Sequence, residues 1–76
     1  MNCSCCGRRR KLFESFESIS SEIDICVECS TLLYRLKDYK MEKKEQEIKQ
    51  YLKEINKRRA NNSTEQFEKW FVEFSK

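Results

Sequence analysis

The chain has 76 residues, 38% hydrophobic and 38% charged, with one glycine, no proline and no histidine. That length makes one domain, and so little apolar material builds a core that is marginal without a staple. The absence of histidine, of a glycine-rich phosphate loop and of a carboxylate pair around a pocket argues against an enzyme. No stretch is long enough to span a membrane and no apolar leader follows Met1, so a cytoplasmic protein with reduced thiols and no membrane partner is expected.

The staple is written in the cysteines. Cys3 and Cys6 form one Cys-x-x-Cys pair and Cys26 and Cys29 a second, 19 residues further on. Four thiolates at that spacing suit one tetrahedral Zn²⁺ with no open position for water, hence a structural ion rather than a catalytic one. A redox disulfide pair or another thiophilic metal are the competing readings. Cys5 lies inside the first pair, so Cys3-x-Cys5 and Cys5-Cys6 are formal alternatives. Cys3 and Cys6 are favoured because Gly7 follows and permits a positive-φ turn that aims amides at sulfur. Cys5 then reads as a spare thiol on a zinc knuckle, or as a redox-sensitive residue able to displace a ligand.

Arg8, Arg9, Arg10 and Lys11 follow as a basic run. The formal charge of +3 counts the thiols as neutral; four thiolates with one Zn²⁺ contribute −2 and leave +1. Global charge therefore gives little drive toward nucleic acid. The run is read either as a phosphate-contacting patch, as a solvated hairpin edge, or as cations that offset the anionic centre.

From Leu12 to Ile25 strand and helix compete. Ile23 and Ile25 alternate with polar neighbours, Leu12, Phe16, Ile19 and Ile23 fit helical spacing, and Ser18 to Ser21 resembles a turn. The adopted reading is a hairpin of residues 11–17 and 22–25, which returns the second cysteine pair to the first. Ser30 to Arg59 lacks glycine and proline and is rich in helix formers, so one long helix is expected, with Cys26 and Cys29 at or just before its first turn, where the dipole favours thiolates. Knuckle, hairpin and helix together make a treble-clef-like zinc-finger module over residues 1–36.

Cys3-Ser-Cys-Cys6, then Ile25-Cys26-Val-Glu-Cys29 and a helix, resembles the small Gin-type anti-sigma zinc-finger proteins over residues 3–35. The resemblance implies a non-catalytic protein that binds a sigma factor, with the four cysteines as metal ligands.

Residues 37–76 are read as a helical hairpin extension, either one compact unit with the zinc module or loosely coupled to it. Residues 37–47 form a polar connector, and Ile48, Tyr51, Leu52 and Ile55 then share one helical face. Ala60 to Ser63 breaks the helix, and Ser63 with Gln66 reads as a capping box. A final helix carries Phe67, Trp70, Phe71 and Phe74 at the same spacing, antiparallel to the first stripe and covering it. Four aromatics exceed what so small a contact needs, so the same residues are the expected partner surface, whether for a larger protein or for a homodimer through the C-terminal helices. The fold expected is thus a small α+β zinc-stabilised domain. Its expected function is a regulator or adaptor acting on a larger protein, such as a component of the transcription or replication machinery, with Arg8, Arg9, Arg10 and Lys11 on nucleic acid as the alternative.

Overall fold

The computed structural model describes residues 1–76. Two strands, β1 (Glu17–Ser20) and β2 (Ile23–Ile25), precede three helices, α1 (Val27–Glu42), α2 (Glu45–Arg59) and α3 (Glu65–Phe74). No helix is long and apolar enough to cross a membrane.

The N-terminal ribbon is built around the first cysteine pair. Asn2 bridges Arg9, the Cys3 amide donates to the Arg8 carbonyl at 2.8 Å, and the Arg10 amide donates to the Met1 carbonyl at 2.9 Å. Gly7 closes the turn at φ +76, a region closed to most side chains.

The hairpin lies later in the chain than the sequence reading placed it. β1 occupies residues 17–20 and pairs antiparallel with β2, Glu17 facing Ile25 and Ser20 facing Ile23, with a bulge between Ser18 and Ser20. Residues 11–16 belong to no strand or helix. Glu14 decides this: its carboxylate accepts from the Lys11 amide at 3.1 Å and its own amide donates to the Lys11 carbonyl at 3.2 Å. The turn so made leaves Leu12 82% and Phe13 95% exposed, where a strand would have packed one of them.

The long helix is two helices. Lys43 adopts φ +58, its amide donates to the Lys40 carbonyl at 3.3 Å, and the Lys44 amide donates to the Tyr39 carbonyl at 3.0 Å. These two bonds make a Schellman ending, here with lysine where glycine is usual. α2 therefore folds back on α1, and the Tyr39 and Tyr51 rings meet edge-on at 5.1 Å. The antiparallel pair is α1 with α2, not α2 with the final helix.

α3 starts one residue later than the Ser63–Gln66 box implies. Thr64 is the cap, its hydroxyl accepting from the Phe67 amide at 3.1 Å, while the Ser63 hydroxyl donates to Glu68 at 2.8 Å. Phe67 and Phe71 enter one buried cluster with Cys3, Cys5, Ile23, Ile25, Cys26, Cys29, Leu33 and Ile55. The aromatic stripe thus covers the cysteine head together with Ile55, so the core draws on both sides of the residue 36 boundary.

Candidate metal centre

The two cysteine pairs reach the same point by different backbone routes. Cys3 and Cys6 sit on the glycine-closed turn of the ribbon. Cys26 is the extended residue that caps α1, its carbonyl accepting from the Ser30 amide at 2.9 Å, and Cys29 lies in the first helical turn. Their four Sγ atoms all lie within 4.8 Å of one another. A tetrahedral zinc with metal–sulfur bonds of about 2.3 Å has sulfur–sulfur edges of about 3.8 Å. Cys6 Sγ and Cys26 Sγ are 3.8 Å apart. The donor set fits a thiophilic ion.

The surroundings suit thiolates. The amides of Cys6 and Cys26 donate to Cys3 Sγ at 3.5 and 3.3 Å, stabilising charge on that sulfur. The Cys29 side chain hydrogen-bonds to Cys3 and pulls its pKa below the ordinary thiol value, whereas burial raises Cys6. Cys29 is raised, first by its bonds to Cys3 and then to Cys5. Four thiols crowded into this space are the donor set that a divalent cation binds in place of their protons.

Cys5 is fully buried beside Cys29 and lies outside the four-sulfur group. It is a packed thiol rather than a surface one.

Two arginines face the centre. Arg8 makes a two-pronged ion pair with Glu14 at 3.0 and 2.5 Å, and its pKa is raised first by Glu14 and also by the Cys26 sulfur. Its guanidinium lies 5.8 Å from the centre of the Phe16 ring. Arg58 pairs with Glu54 at 3.1 Å and Glu28 at 3.2 Å. Burial works against its charge, and those carboxylates together with Cys29 restore it. Of the basic run, Arg8 is engaged in this way and Arg10 donates to the Glu14 carbonyl at 3.0 Å. The side chains of Arg9 and Lys11 form no salt bridge, and both residues are exposed.

The knuckle is clasped from two sides. The Ser4 amide donates to the Asp24 carbonyl at 2.7 Å and the Ser4 hydroxyl accepts from the Asp24 amide at 3.2 Å. From the α2–α3 loop the Thr64 amide donates to the Ser4 carbonyl at 2.9 Å. A Cβ on Gly7 would lie 3.2 Å from the Asn62 carbonyl oxygen. Ser4, Asn62 and Thr64 do not stand out in the sequence in this role, because these contacts span 20 residues or more; Arg58 is legible only through its i,i+4 pair with Glu54, not through its link to Glu28.

The expected partner residues divide. Phe67 and Phe71 are buried, while Trp70 and Phe74 are partly exposed and stack at a centroid separation of 4.9 Å. No protein-family model, curated protein or solved structure matches the chain.

Proposed function

We propose that the four-cysteine centre holds one structural Zn²⁺ and that the protein is a non-enzymatic regulator or adaptor acting by binding a larger protein. The ion would be held by Cys3, Cys6, Cys26 and Cys29 and would supply cross-linking of the ribbon to α1, not Lewis-acid chemistry. On this reading the ribbon, hairpin and α1 make a treble-clef-like head, and α2 with α3 form its partner-facing flank.

The observation that carries the reading is the pairing of Trp70 and Phe74. Two large aromatics left half-covered beside a completed core are the usual material of a protein contact. Arg8, by contrast, is occupied by Glu14, which leaves a phosphate-binding run of only Arg9, Arg10 and Lys11. The resemblance to Gin-type anti-sigma proteins makes a sigma factor the partner to try first.

The test is retention of a protein from nuclease-treated extract by the metal-loaded chain, with Trp70→Ala in parallel and native mass spectrometry for metal content. One partner retained by wild type and lost by the variant, at equal zinc content, supports the reading. Retention of nucleic acid alone, weakened by Arg9→Ser with Lys11→Ser, would replace it with the nucleic-acid alternative.

A further inference from the structure

Between β1, α1 and the end of α3 runs a groove of about 440 Å³, a size common among peptide and small-ligand sites. Its apolar lining includes Ile19, Leu33, Trp70 and Phe74. The bulge in β1 falls at Ile19, and a bulge re-aims its side chain.

Three further features describe what fits there. The sheet has two strands only, and no backbone hydrogen bond joins β1 to any segment but β2. One edge of β1 is therefore an open template for another strand. Lys37 and Lys40 line the groove, and neither forms a salt bridge; Lys40 Nζ is held at the rim by the Phe74 carbonyl at 3.2 Å. The one carboxylate on the wall, Glu17, is taken up by the hydroxyls of Ser30 and Tyr34.

We propose that this groove takes an extended, acidic segment of a partner protein, which adds to the free edge of β1 as a third strand. The inference rests on the protein-interaction reading above. Alternate side chains of a strand point to opposite faces. The side chains that enter the groove are therefore every second one, apolar residues against Ile19 and Trp70 and Asp or Glu at another position of the same set against Lys37 and Lys40, which line the same groove. Backbone bonds to β1 supply affinity irrespective of side chain, while the lysines exclude basic segments.

The experiment is selection of a random peptide-display library on the zinc-loaded full chain, followed by titration of synthetic copies of the enriched peptides. Sequences with apolar and acidic residues two positions apart are expected, with binding at least tenfold weaker to Trp70→Ala and to the exposed-site variant Lys37→Glu. Ser18 lies opposite Asp24, whose backbone amide and carbonyl are taken by Ser4, so the Ser18 amide faces the free edge and its exchange should slow on binding. Enriched peptides without acids, lost on Trp70→Ala but indifferent to Lys37→Glu, would overturn the acidic-strand inference and leave the protein-interaction reading standing. Absence of any binder sensitive to either variant also overturns it, and the extract experiment then decides the broader reading by itself.

Discussion

Gly7 carries two constraints at once, a left-handed backbone and a carbonyl 3.2 Å from where a β-carbon would sit. Gly7→Ala should therefore cost about 1–2 kcal/mol from the backbone conformation alone, and more if Asn62 fails to move aside. Denaturant titration of the metal-loaded protein measures it. Glu14 is held down to about 2 by its bonds from Arg8, against an ordinary 4.5. A depressed carboxylate contributes stability that is fully present above the unfolded value and lost as pH falls through the folded one. The stability gap between wild type and Glu14→Gln should be constant from pH 8 to about pH 5, then narrow as pH falls from 4.5 toward 2; a gap that widened on acidification would contradict the pairing. The clustering of Cys3, Cys6, Cys26 and Cys29 was legible because cysteine spacing is a local signal. Glu14 was not, since a glutamate that caps a turn and clamps an arginine looks like any other glutamate until both partners are placed.

Elements were legible in kind more readily than in extent. The α1 start at the second cysteine pair and the aromatic helix at the C-terminus follow from helix formers and period. The break at Lys43 does not, because neither glycine nor proline announces it and every neighbour is a good helix former. It arises from tertiary gain: the stripe ending in Ile55 buries only if α2 turns back. Lysine then bears a conformation that glycine adopts without cost. Lys43→Gly should stabilise the protein by about 1 kcal/mol, raising Tm by about 4–8 °C, measurable by thermal circular dichroism. α3 belongs to the same lesson, since its periodicity marks a buried face without naming the surface that buries it. Phe67 is wholly enclosed, so Phe67→Ala should cost about 3–5 kcal/mol, whereas Trp70→Ala, at a half-covered site, should cost less and fall mainly on binding.

For the whole molecule, the decisive fact is that the cysteines and the last helix occupy one cluster. The division at residue 36 follows the run of polar residues along the sequence, yet those residues lie on the solvent side of two packed helices. Chelation under reducing conditions should therefore unfold the chain as a unit. Helical circular dichroism and Trp70 fluorescence are expected to change over the same range of chelator concentration. Retained helicity with a released tryptophan would mean instead that α1 and α2 stand without the metal.

The Ser4–Thr64 bond and the Gly7–Asn62 contact also set an order of events during synthesis. Translation at about 5–20 residues per second needs roughly 2 to 7 seconds to pass from Cys29 to Thr64. Throughout that interval all four sulfurs have been made and the clasp over them has not. A metal bound by the nascent head in that interval would meet an uncovered knuckle, and the last part of the chain to be made would then shut over it.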